Sequence, residues 1–402
     1  MLRRALIVLC AAAPLSAPLS AQFVNRATWL GLDEEGVRRD FRQDQDYFLD
    51  RFAYVVAPPW WDRGLLRFGN GARYALGSVT TSKFTVEGQV DHAAPLGSGF
   101  AFGYHLLQSE HRDARFLRNA IEFEYEVGPE TALFAQGELF ADKQWIDASG
   151  GVWLWRRGDQ ALRAMVTVVD APADKSRDFV YERAPYAVML AGAFGDPRSH
   201  RIVFELGAQL PFEVRATGSP ETFAMQRWIG TVESHLVLGG RDRLVLAAER
   251  EWTDKDVDSD VPGGALVEDF RRDFRQLRAE WWRDGLTPWS VGVLHTHHGE
   301  RGLRPNDPAA SLRGRHDSWF ALVRLQWAVA EPLSFEPQLF AGVVQDRWFD
   351  AADLRDRELF QGRLSWNTRF DFSPRSTLVL AVGVQLDELA FGGGGAQFVT
   401  RF

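Results

Sequence analysis

From Trp319 to Trp327 the odd positions read Trp, Ala, Val, Leu, Trp, with Arg324 and Gln326 between them. A period of two puts the two sets on opposite faces of a β-strand. Eight steps of ~3.3 Å cover roughly 26 Å, which a tilt of about 40° turns into roughly 20 Å of height, near the ~25 Å apolar band of a membrane barrel. Tryptophan at both edges suits the two aromatic girdles of such a band. The pattern returns along the chain. Phe84, Val86, Gly88 and Val90 alternate with Thr85, Glu87, Gln89 and Asp91, and Ile121, Phe123, Tyr125 and Val127 with Glu122, Glu124 and Glu126. Ile202, Phe204, Leu206, Ala208, Leu210 and Phe212 oppose Val203, Glu205, Gly207 and Gln209. Trp228, Val232, Leu236 and Leu238 oppose Thr231, Glu233 and His235. Phe360, Leu364, Trp366, Phe370 and Phe372 oppose Gln361, Arg363, Ser365, Asn367, Arg369 and Asp371. A soluble sandwich with this many half-charged strands would have to be very large. The expected fold class is all-β.

Both chain ends point the same way. Arg3 and Arg4, the short apolar run Ala5 to Leu15 and the small-residue site Leu19-Ser20-Ala21 read as a secretory signal peptide over residues 1–21. Cys10, the single cysteine, lies inside it, so the mature chain is expected to hold no disulfide and no thiolate ligand. At the other end Ala396, Phe398, Thr400 and Phe402 share one face of a strand that stops on an aromatic residue. This ending resembles the terminal targeting signal of bacterial outer-membrane β-barrels, with Phe398, Thr400 and Phe402 as the assembly signal. The resemblance covers about 325 residues and implies a transmembrane antiparallel up-and-down β-barrel in the bacterial outer membrane. Its implied partners are outer-membrane lipid, lipopolysaccharide and the barrel-assembly machinery.

Connection lengths give a separate test, because such barrels have short periplasmic turns and longer outer loops. Working back from Phe402, short turns fall at Ser373-Pro374-Arg375, Ala330-Glu331-Pro332, Arg283-Asp284-Gly285, Gly239-Gly240-Arg241, Gly195-Asp196-Pro197, Arg157-Gly158-Asp159, Gly128-Pro129-Glu130 and Ala94-Pro95-Leu96. Each carries the glycine or proline that tight turns favour. Longer connections are expected near 347–357, 299–315, 253–266, 213–222, 171–181 and 108–114, and short ones around Lys143 and at Gly392–Gly395. With a first strand near Leu65–Leu76 this predicts about eighteen strands over residues 63–402, or sixteen if two weak segments are not strands. Before the barrel, Val37, Phe41, Phe48 and Phe52 fit one helix face over residues 22–62, with Asp33 as N-cap and Pro58-Pro59 as a stop. That segment is expected to be a periplasmic lead-in or a plug.

Charge narrows the partners. Loss of Arg3 and Arg4 with the leader takes the net charge from −8 to −10, which argues against nucleic acid. The fifteen tryptophans favour a barrel, with Trp228, Trp319, Trp327 and Trp366 as girdle residues. The inward set, expected to line the lumen and set selectivity, is Glu122, Glu124, Glu126, Glu205, Glu233, His235, Arg278, Glu280, Arg324, Arg363, Arg369 and Asp371. Acids on the early strand and arginines on the late ones would form opposed walls and a transverse field, a broad likeness to general porins. The competing reading is a salt-bridge lattice that braces the wall.

Other constellations are weaker. Asp254, Asp256, Asp258 and Asp260 alternate through an expected outer loop and lack the glycine and glutamate of an EF-hand, so a solvated acidic loop is preferred to a calcium site. His295, His297, His298 and Glu300 lie at a strand's outer end, where an ordinary interface position is preferred to a metal site. Ser234 and His235 are adjacent and point to opposite faces, and Ser290 and Ser318 show no base partner, so no hydrolase triad is legible. No cofactor is expected. The reading favours passive passage of small hydrophilic solutes. The alternatives are a non-transporting barrel that binds or helps export surface polysaccharide, and a lipid-modifying enzyme.

Overall fold

The computed structural model describes residues 71–401, apart from 81–82, 112–113, 142–145, 158–159, 172–178, 184–185, 197–198, 217, 219–220, 260–267, 304–311, 350–353 and 387–388. The expected signal peptide and helix at 1–62 lie outside the described residues, as does Phe402. Among the described residues, twenty strand segments form one antiparallel sheet. Phe179–Arg183 and Tyr186–Gly195 both pair with Arg201–Ala216, and Leu312–Leu325 and Trp327–Ala330 both pair with Leu333–Phe349. Each couple is one interrupted strand, so the described wall is crossed eighteen times. Gly71–Thr80 pairs with Lys83–Gly97 on one side and Ala390–Arg401 on the other, which closes the sheet. Even parity lets first and last strands meet antiparallel, and closure leaves no sheet edge exposed to lipid.

The two faces differ as the alternation predicts. Trp319 is 60% exposed on the outer face with Val323 and Trp327 beside it, while Phe320, Leu322 and Arg324 are buried on the inner one. Trp228, Trp366, Phe123, Tyr125, Leu206, Leu364 and Phe398 also face outward. Near the periplasmic end Trp327 packs edge-on against Trp366 at 6.1 Å, and Trp281 against Trp289 at 5.1 Å. The fold is that of an outer-membrane β-barrel.

The structure corrects several boundaries. The turn expected at Ala94–Leu96 sits at Gly97-Ser98-Gly99, where three consecutive positive φ values (94°, 54° and 79°) favour glycine. The run Gly392–Gly395 is not a connection. It lies inside the closing strand, where a Cβ on Gly394 would come within 2.9 Å of the Ala381 carbonyl oxygen. Phe212, expected to face outward with Ile202, is 1% exposed on the inner side. The pairing slips by one residue between Gln209 and Phe212, and this bulge at Leu210-Pro211 reverses the parity.

Strand pairing reaches into the expected long outer connections from both sides. Asp242–Ser259 carries pairing through most of the expected acidic loop, and only 350–353 separates Leu333–Phe349 from Leu354–Ser373. The 20 residues of Leu354–Ser373 reach roughly 50 Å in height at ~3.3 Å per residue and a tilt of about 40°, twice the ~25 Å apolar band. Backbone groups beyond the bilayer still gain from ladder pairing, so the wall continues as a collar outside the membrane.

Candidate functional site

The inner wall holds the charges in pairs that lie along one strand or reach across one to three strands of the sheet. Glu122, on Ala114–Glu126, accepts a hydrogen bond from Arg163, on Gln160–Ala171, and Arg163 also reaches Gln136 at 3.3 Å. Arg163 is 1% exposed, with its guanidinium 3.8 Å from the Phe134 ring centroid and 5.0 Å from that of Trp153. Glu124 pairs with Arg156 at 2.6 Å, and Glu126, at the rim, lies 3.7 Å from the same guanidinium. Glu233 bridges His235 (2.7 Å) and Arg278 (3.1 Å). Glu280, wholly buried, accepts from Ser290 at 2.6 Å and pairs with Arg324 at 3.1 Å. Arg369 meets Asp371 at 3.0 Å and Glu336 at 3.9 Å, and Thr377 donates to Asp371 at 2.6 Å. Glu205 is buried on the same face. Arg363 sits on Leu354–Ser373, and its side chain lies outside the described residues.

The expected opposition of an acidic wall is therefore corrected at Arg369. Glu122 and Glu124 meet Arg163 and Arg156 nearby along the sheet, and Arg369 meets carboxylates of its own and the adjacent strand. Coulomb attraction at contact distance outweighs that between charges on distant parts of the wall. The wall is neutralised side to side.

Sequence reasoning missed Arg163, Arg156, Gln136 and the pair Arg227–Glu251 (2.8 Å). Arg163 shares its face with Ala161, Met165 and Thr167, a setting that reads as apolar. The available signal was the outward set Leu162, Ala164 and Val166, which leaves Arg163 facing the lumen. The lumen is also less polar than expected. Phe134, Trp153, Met165 and Met189 form one buried inner cluster, and Leu294, Phe320, Leu322 and Val344 with Phe340 form another. Ring faces there lie beside charges, as with Arg324 at 5.9 Å from Trp282.

The weaker constellations resolve differently. Asp254 pairs with Arg271 at 3.2 Å and accepts from Gln226 at 3.3 Å, while Asp256 and Asp258 stand exposed farther along the same strand. Asp260 lies outside the described residues. No three metal-ligating side chains converge among the described residues. Asp256, beyond the bilayer, is raised above its ordinary pKa by burial, then by the carboxylates of Asp254, Asp269 and Asp258, against the pull of Arg271. An acid raised on folding costs stability when ionised, and that cost is absent once the pH falls below its ordinary value. Asp256→Asn is therefore expected to raise the unfolding free energy slightly at pH 7, by about 0.5 kcal/mol or less given its exposure, and to change nothing at pH 3. Equilibrium unfolding at the two pH values checks this. His297 bonds Asp317 at 2.7 Å, and His295 packs on Trp319 with ring centroids 4.2 Å apart, both on the outer face.

No family model and no curated protein matches the chain. Among solved structures it is similar to OmpT, an outer membrane protein of Vibrio cholerae, at 13% identity over 83% of this chain and 95% of that one, with TM-score 0.40. It is similar to OccAB3 of Acinetobacter baumannii at 9% identity over 83% and 98%, with TM-score 0.39. It is also similar to the Pseudomonas putida toluene transporter TodX at 9% identity over 87% and 93%, with TM-score 0.32.

Proposed function

We propose that this barrel is an outer-membrane channel for passive diffusion of small hydrophilic solutes. The observation that carries the reading is the placement of charge: Glu122, Glu233, Glu280, Arg278, Arg324 and Arg369 all face inward, behind an apolar outer belt. Such groups would be costly facing lipid, and on the inner wall they meet the partners that offset that cost. Because acids and bases alternate along the wall, the passage is expected to discriminate weakly between cations and anions.

Single-channel recording of the refolded protein in a planar bilayer tests this. Steady openings with a cation-to-anion permeability ratio within a few-fold of unity are expected. A strongly selective pore would contradict lateral neutralisation. A silent full-length chain that conducts when residues 22–62 are deleted would make that segment a plug, and silence of both forms would sink the channel reading.

A further inference from the structure

The outer face of the collar carries a second chemical surface, independent of the lumen. On neighbouring strands the outward residues stack in rows fixed by register: Leu277, His295, Trp319 and Val343 at the edge of the apolar belt, then Arg275, His297, Asp317 and Gln345. A cavity of about 550 Å³ spans these two rows, with Trp319 and Val343 on its apolar side and Arg275 and Arg315 on its polar side. Two rows farther out, Arg271, Arg301 and Arg313 stand directly opposite one another across three strands.

Like charges in facing positions repel, and among the described residues no ion pair is formed by Arg301 or Arg313. Carboxylates do enter the cavity region. Asp317 accepts from both Arg315 and His297, and Asp273 binds Arg275 through Nε at 2.9 Å. Each holds a guanidinium on its own strand, Arg315 through Nε and Arg275 through Nε and one terminal nitrogen, and each fork has further N–H groups to offer a second anion. On the two central strands, Trp289–Leu303 and Leu312–Leu325, the outward positions beyond the belt hold Arg301, Arg313 and Arg315 against the single carboxylate Asp317. This is a basic surface on a protein whose net charge is −8.

We propose that this cavity and the arginine row beyond it bind the phosphorylated headgroup of an outer-leaflet lipid, with Arg275 and Arg315 at the cavity and Arg301 and Arg313 outside it receiving the phosphates. The inference rests on the membrane-barrel fold. Position favours a lipid over free phosphate, because the cavity floor continues into the belt residues Leu277, Val293 and Ala321, along which acyl chains would lie. Guanidinium forks match phosphate geometry, and Trp319 marks the interface at which the headgroup would sit.

The test uses the full refolded chain in detergent micelles, with diphosphorylated lipid A, its dephosphorylated form and inorganic phosphate as probes. Diphosphorylated lipid A is expected to bind, with at least a tenfold loss of affinity in the triple variant Arg301→Ala, Arg313→Ala, Arg315→Ala. Arg283→Ala, an outward arginine at the opposite end of the belt, is expected to leave affinity unchanged. Equal binding of the dephosphorylated lipid, equally tight binding of inorganic phosphate, or an unaffected triple variant would overturn the proposal. Heat-modifiable migration of every variant separates failure of the site, in which the folded band persists, from failure of the barrel.

Discussion

Gly342→Val is expected to prevent the protein from reaching its folded, heat-modifiable form. Gly342 lies on Leu333–Phe349 opposite Phe320. A Cβ there would come within 1.8 Å of the Trp319 carbonyl oxygen and 2.7 Å of the Phe320 Cα, both of them backbone atoms that cannot rotate aside. The two strands would have to separate, and in a closed barrel that strain passes to every neighbour. A broken ladder at bilayer depth leaves N–H and C=O groups facing hydrocarbon, at several kcal/mol each. Gly342→Ala carries the same Cβ and should show the same defect, and Val343→Ala, one position along and facing lipid, should fold normally. Gel migration before and after heating reads all three. A folded Gly342→Val barrel of ordinary stability would show that the approach of these strands is looser than described.

Arg163→Met is expected to lower stability by about 3–5 kcal/mol, the cost of removing one partner from a buried ion pair. Glu122 would lose the guanidinium that neutralises it, Gln136 would lose a donor, and Phe134 would lose a cation 3.8 Å from its ring. Adding Glu122→Gln should recover most of that loss, because an uncharged pair no longer carries an uncompensated charge. A double-mutant cycle on denaturant midpoints isolates the coupling. A single-variant loss below about 1 kcal/mol would mean that the pair is as weak as a surface salt bridge and that the lattice does not brace the wall.

What the sequence revealed follows from how far each property depends on local pattern. Trp319 to Trp327 was legible because lipid imposes a uniform apolar demand on one face, and a strict period of two follows. The collar was not legible. Beyond the bilayer both faces are polar, alternation disappears, and Asp254 to Ser259 reads as loop although its backbone stays paired. Phe212 was misplaced because one bulge at Leu210-Pro211 shifts every later residue to the other face, and nothing in the apolar spacing announces it. Gly392–Gly395 looked like a connection because glycine suits turns, whereas here it admits close approach of a neighbouring strand.

At the lumen, the acidic halves of the pairs were read correctly as inward-facing, and their partners were not. Which arginine meets Glu122 depends on register across the intervening strands, a non-local property. Arg163 itself was hidden among Ala161, Met165 and Thr167. The outer-wall rows were invisible for the same reason: Arg271, Arg301 and Arg313 are far apart in sequence and become neighbours only through pairing.

The central claim is that one face of each strand meets lipid and the other the lumen. A Cys10→Ser chain can carry single cysteines at each position from 319 to 327, labelled with a nitroxide in lipid nanodiscs. Oxygen accessibility is expected to peak at 319, 321, 323, 325 and 327 and to fall at 320, 322 and 324. A profile without a period of two, or one with the opposite phase, would contradict the account.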